Sequence, residues 1–198
     1  MKYSYQVIIM QSEIKSMIEE SAETGKSVQD LVPQIEKAAK IVADALKNGK
    51  KIILAGNGGS AAMSSHIAAE FTGRYKLERK GLPAIALTAD LAAITAIGND
   101  YGFDKIFERQ IEALGNQGDV FIALSTSGDS SNMIKAVGKA KKMNIKVIGL
   151  LGKDGGNMKS ACDIEMIIPS SNTPRIQEAH LMILHIICEL AENELFGK

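Results

Sequence analysis

An α/β fold is what this sequence predicts: a five-stranded parallel sheet with helices on both faces, preceded by an N-terminal helical pair. Three observations carry that expectation. From Lys51 onward short apolar runs alternate with helical patterns, the first run enters a glycine-rich turn and leaves as a helix, and the chain before residue 50 has helical spacing only. The 198 residues, 45% of them hydrophobic, suit one globular domain with a sizeable core. We therefore expect a single domain over residues 1–198, with residues 1–49 as its helical pair.

Composition excludes several classes of function. Lys plus Arg and Asp plus Glu each total 23, so no basic stripe argues for nucleic acid. Tryptophan is absent and aromatics make up 5%, too few for a base-stacking surface. The apolar run Val7 to Met10 is too short for a signal-peptide core, and no stretch is long enough to span a bilayer. Cys162 and Cys188 lie far apart without CxxC spacing, which reads as reduced thiols in a cytoplasmic protein.

In chain order, Val7, Met10, Ile14 and Met17 predict a helix from Tyr5 to about Ala22. Ile35, Ala39, Val42 and Leu46 predict a second, with Ser27 or Asp30 as its cap and Pro33 in its first turn. Such narrow apolar seams suit helix packing, and we expect an antiparallel pair that helps assemble an oligomer; the alternative is that both helices cover a sheet face. Thr24-Gly25-Lys26-Ser27 looks like the end of a P-loop, but Glu20 stands where that motif needs its first glycine, so the segment reads as an interhelical loop.

Ile52 to Ala55 form the first buried strand, and Gly56, Gly58 and Gly59 let the chain turn into a helix opened by Ser60. A helix N-terminus after such a turn presents unpaired N–H groups, which suit a phosphate. On that helix His66 and Glu70 lie about 40° apart around the axis and about 6 Å apart along it. The spacing suits a metal site or a proton-transfer pair, and equally an ordinary ion pair. Further strands are expected at Pro83 to Thr88, Val120 to Thr126, Lys146 to Leu151 and Ile164 to Pro169. Helical material lies between them at Leu91 to Leu114, Ser130 to Met143 and a short piece near Asn157.

The loop Ser125-Thr126-Ser127-Gly128-Asp129-Ser130 gathers four hydroxyls and a glycine at the carboxyl end of the third strand, a second place for a phosphate ester. The last helix runs from about Pro174 to Phe196, with Thr173 as its cap. On it Gln177, Leu181 and His185 form one stripe, and His180 lies about 140° around the axis from His185. Gln177 and His185 are about 12 Å apart along the axis, near the limit for meeting at one ion.

The run GNGGS (Gly56 to Ser60) with His66 and Glu70 after it, AIGND (Ala96 to Asp100), STSGDS (Ser125 to Ser130) and RIQEAH (Arg175 to His180) followed by His185 together resemble the phosphoheptose isomerase family. These are sedoheptulose 7-phosphate isomerases of the SIS domain superfamily, and the resemblance covers nearly the whole chain. It implies a SIS fold of flavodoxin-like type and a cytoplasmic homotetramer. It also implies conversion of D-sedoheptulose 7-phosphate to D-glycero-D-manno-heptose 7-phosphate through an enediol, the first step toward nucleotide-activated heptose for bacterial surface polysaccharide.

By the same resemblance Asn57, Gly58, Gly59, Ser60, Glu70, Asn99, Asp100, Ser125, Thr126, Ser127, Ser130 and Gln177 are substrate contacts. One zinc ion per subunit would be held by His66, Glu70, Gln177 and His185, and Glu70 and His185 would be the acid–base pair. A metal-bound carboxylate or imidazole is a poorer base, so the two roles compete. The rivals are a SIS-fold regulator that binds the replication initiator protein, another phosphosugar isomerase such as one for arabinose 5-phosphate, and a dinucleotide-binding oxidoreductase. The regulators lack the matching glutamate and final histidine. The oxidoreductase rests on Gly56, Gly58 and Ala61 alone, with no acidic residue closing the second strand.

Overall fold

Five parallel strands form one sheet in the order β2-β1-β3-β4-β5: β1 (Ile52–Gly56), β2 (Ala84–Ala86), β3 (Val120–Ser125), β4 (Lys146–Gly152) and β5 (Ile164–Ile168). The structure is a computed structural model that describes residues 2–197, with side chains described from Ile9 to Gly197. This order reverses direction between β1 and β3, and a crevice at such a switch point is where open parallel sheets bind ligands.

The strands are apolar on both faces because helices cover both. Ile52, Leu54, Ile122 and Leu124 join one core with α2 (Val32–Lys47), α3 (Gly59–Thr72) and α7 (Thr173–Phe196). Ile53, Ala55, Phe121 and Ala123 join the other with α5 (Ile106–Leu114) and α6 (Ser131–Lys142). This alternation is the period of two expected of a strand.

Several expected boundaries shift. Helical material from Leu91 to Leu114 is two helices, α4 (Leu91–Tyr101) and α5, broken at Gly102, whose φ of 93° no continuing helix adopts. The second strand is only Ala84–Ala86, because the backbone turns away at Leu87. Thr24 to Ser27 is the last turn of α1 (Lys2–Ser27), not a loop. Ser27 and Asp30 do not cap α2, since a 3-10 turn at Val28–Leu31 intervenes and Leu31 takes the cap position; the Ser27 hydroxyl donates to the Thr24 carbonyl instead. Asn172, not Thr173, precedes the first turn of α7.

The N-terminal helices are both present, yet they meet chiefly at that 3-10 turn, and each packs on α7. The second helix buries Ile35, Ala38, Val42 and Ala43 over the sheet. The first leaves Met10, Ile14, Met17 and Ile18 at least half exposed, an apolar stripe with no cover among the described residues.

His180 shows how the core treats a polar side chain. Its Nε2–H donates to the Leu151 carbonyl at 2.9 Å, and its Nδ1 has no partner among the described residues. Burial pulls the imidazole down from 6.5 to about 4, against the smaller upward pull of the Leu151 hydrogen bond. Between those two values the unfolded chain takes up a proton that the folded chain refuses, so stability falls as pH drops through this window. The loss between pH 7 and pH 5 should be about 2 kcal/mol. Urea unfolding at the two pH values checks this: His180→Gln should flatten the dependence, and an equal slope in that variant would contradict it.

Candidate active site

The switch-point crevice is built from the ends of β1 and β3. From β1 the chain passes Asn57 and Gly58 into α3, where the buried Ser60 donates its N–H to the Asn57 carbonyl at 3.0 Å. From β3 it passes the serine turn into α6, with Ser130 at the cap position. Asn57 and the buried Asn132 lock the two loops together through reciprocal amide bonds of 3.0 and 2.9 Å. Asn132 was not predicted; a single asparagine in a helix's first turn carries no pattern that marks it.

The serine turn is held by its own hydroxyls. Ser125 Oγ accepts the Gly128 N–H at 3.0 Å and lies 3.4 Å from Ser130 Oγ, and Ser127 Oγ accepts the Asp129 N–H at 3.1 Å. Thr126, half-buried, follows the end of β3. Gly128 has φ of 71° and passes so close to the Gly155 carbonyl that a Cβ would lie 1.9 Å from it, so only glycine fits. Asp129 secures this contact by accepting the N–H and side-chain amide of Asn157, each at 2.8 Å.

The second group of candidates meets between α3 and α7, which run parallel. His66 Nε2 lies 3.0 Å from His185 Nε2 and 3.5 Å from Glu70 Oε1, and one donor atom from each of the three lies within 4.8 Å of the others. Two imidazole nitrogens facing each other need a proton or a cation between them. Ligands at 2.0–2.1 Å from a tetrahedral zinc lie about 3.3 Å from one another, so the donor set fits such an ion. His66 is exposed, while Glu70 and His185 are half-buried. The neighbouring Cys188 is buried and pushed up to about 12, chiefly by burial and next by the Glu70 charge, so it remains a neutral thiol.

Gln177 lies outside this trio. Its amide packs on Gly59, where a Cβ would stand 2.7 Å from its Nε2. His66 is seven residues farther along α3, about 10 Å along the axis. Asn99 and Asp100 are brought to neither group. They sit exposed on α4, Asn99 donating to Asp100 at 2.9 Å, and Asp100 faces a separate cavity of about 550 Å³ between α4, α5 and β2.

Behind the trio is a buried ion pair. Arg79 Nε and Glu192 Oε1 are 2.9 Å apart, and both side chains are 2% exposed. Glu192 also accepts the backbone N–H groups of Tyr75, Lys76 and Leu77 at 3.2, 2.8 and 2.9 Å. Burial alone would raise its carboxyl, but these three N–H groups and Arg79 outweigh burial and hold it below the usual range. Tyr75 in turn stacks on His185, with ring centroids 5.9 Å apart and planes at 27°. Tyr75, Arg79 and Glu192 carry no sequence pattern that marks them: the two charges look like those of any exposed loop and helix end, and a lone tyrosine in a loop signals nothing.

Comparison with known proteins places these observations in a family. The SIS domain family model matches residues 16–152. Phosphoheptose isomerase of Aliarcobacter butzleri is 53% identical over 182 residues, covering 92% of this chain and 96% of the relative. That of Clostridium acetobutylicum is 53% identical over 189 residues, covering 96% of each. The solved phosphoheptose isomerase of Neisseria gonorrhoeae superposes with a TM-score of 0.88 at 40% identity, covering 93% of this chain and 99% of the other. The chain belongs to the phosphoheptose isomerase family of SIS-domain proteins.

Proposed function

We propose that this chain is an aldose–ketose isomerase that converts D-sedoheptulose 7-phosphate to D-glycero-D-manno-heptose 7-phosphate. The convergence of His66, Glu70 and His185, in a member of the phosphoheptose isomerase family, is the observation that carries this reading. A heptose 7-phosphate has its charge at one end and its reacting carbons at the other. The two groups of residues, spaced along α3, suit a ligand of that shape.

The serine turn takes the phosphate. Ser125 accepts a backbone bond and so keeps its own O–H to donate, and the N-terminus of α6 adds the positive end of its dipole. Asn57, Gly58, Gly59, Ser60, Thr126, Ser127, Ser130 and Gln177 complete the sugar contacts, and Asn99 and Asp100 are assigned to the sugar on family resemblance. Binding the phosphate end positions C1 and C2 for reaction.

Glu70 takes a proton from C1 of the ketose, giving the enediol, and returns one to C2. His185 moves the accompanying proton from O1 to O2. His66, Glu70 and His185 would hold one zinc ion per subunit, which would polarise the sugar oxygens when bound; Gln177 is assigned as a fourth ligand on family resemblance alone, since its amide packs on Gly59 here. Glu70 presents Oε1 to His66 Nε2 at 3.5 Å, and its second carboxylate oxygen carries the proton. The apolar stripe of α1 is the surface on which copies assemble, and we assign a cytoplasmic homotetramer built as a single domain over residues 1–198. No helix among the described residues is long and apolar enough to cross a membrane. The product would supply nucleotide-activated heptose.

Incubation of the purified, zinc-supplemented protein with sedoheptulose 7-phosphate in deuterated water, followed by NMR, should yield an aldoheptose 7-phosphate with deuterium at C2. Glu70→Gln and His185→Ala should each lower turnover by at least about 100-fold while sedimenting, like the parent, as tetramers. Retained turnover in either variant would remove its assigned role, and a monomeric parent would refute the assembly. Titration with Co²⁺ should produce the visible bands of a tetrahedral site, lost in His66→Ala; equal binding by that variant would move the metal elsewhere.

A further inference from the structure

We propose that Glu192 is a positioning residue for the histidine cluster: it fixes Tyr75 against the His185 ring and, through Arg79, the end of α3 that carries Glu70. The inference rests on reading that cluster as the reacting end of the site.

Two sets of contacts lead there. On one side, a single carboxylate gathers three consecutive backbone N–H groups, those of Tyr75, Lys76 and Leu77. This sets the path of the chain where Tyr75 leaves it to stack on His185. On the other, Arg79 spreads its guanidinium over carbonyls that α3 leaves without intrahelical partners: Glu70 at 2.8 Å, Phe71 at 2.8 Å and Gly73 at 2.9 Å. The 2.9 Å bond between Arg79 and Glu192 joins the two sets. One buried pair therefore sets the main chain at Glu70 and the ring packed on His185. Glu192 lies seven residues beyond His185, about two helical turns, so it acts only through Tyr75 and Arg79.

A purely structural clamp would alter stability without reaching His185, and that difference can be measured without any sugar. The readouts are Co²⁺ affinity, by competition with a chelator, and the imidazole ¹⁵N–¹H correlations of the metal-free protein. Glu192→Gln and Tyr75→Ala should each weaken Co²⁺ binding by roughly 10-fold and shift the His185 resonances. Tyr75→Phe, which keeps the stacked ring, should retain both. The double variant Glu192→Gln/Tyr75→Ala should lose less than the sum of the two single losses, because the two share the route through Tyr75.

Unchanged affinity and unshifted His185 signals in Glu192→Gln or Tyr75→Ala would overturn the proposal, as would losses that simply add in the double variant. If Glu192→Gln does not fold, the contrast between Tyr75→Ala and Tyr75→Phe decides. If the parent binds no Co²⁺, the His185 resonances decide. A chain that behaves as expected here but fails to isomerise the sugar loses only the reading of its substrate.

Discussion

The parallel packing of α3 against α7 on one face of the sheet is the constraint from which the site follows. Both helices begin beyond the carboxyl ends of strands and run back across the same core, where Ile67 and Phe71 of one and Ile183, Leu184 and Ile187 of the other are buried. At the upper end of the seam Gly59 lets the Gln177 amide approach within contact of its backbone. Lower down the seam brings His66 and His185 to 3.0 Å. Neither helix alone could assemble these donors, because His66 and Glu70 supply one side only.

Buried charge then holds the seam's lower end. Placing an ion pair out of water is costly, and the Arg79–Glu192 pair answers that cost by satisfying almost every polar atom around it. Removal of one partner from such a pair costs on the order of 3–5 kcal/mol, since the other charge is left buried alone. Both the end of α3 and the loop of residues 73–81 depend on it.

Much of this was legible in the sequence, and the residues show why. Ile52 to Ala55 and Val120 to Leu124 announce buried strands because no polar residue interrupts them. His66 and Glu70 announce a shared face because helical geometry leaves four-residue neighbours nowhere else to go. Gly102 was a readable break within Leu91 to Leu114 that the apolar pattern around it concealed. Arg79 and Glu192 were not readable at all, since burial of a charge depends on which distant elements close over it. The same holds for Asn132, whose role exists only once Asn57 is brought beside it from 75 residues away in sequence.

The central claim is that one ligand spans the serine turn and the histidine cluster. Diffraction from crystals of the zinc-loaded protein with sedoheptulose 7-phosphate, collected at the zinc edge, tests it most directly. Anomalous signal should appear among His66, Glu70 and His185, with the phosphate on the Ser125 to Ser130 turn and C1 and C2 within reach of the Glu70 carboxylate. A phosphate bound elsewhere, or a zinc peak away from the two histidines, would contradict it.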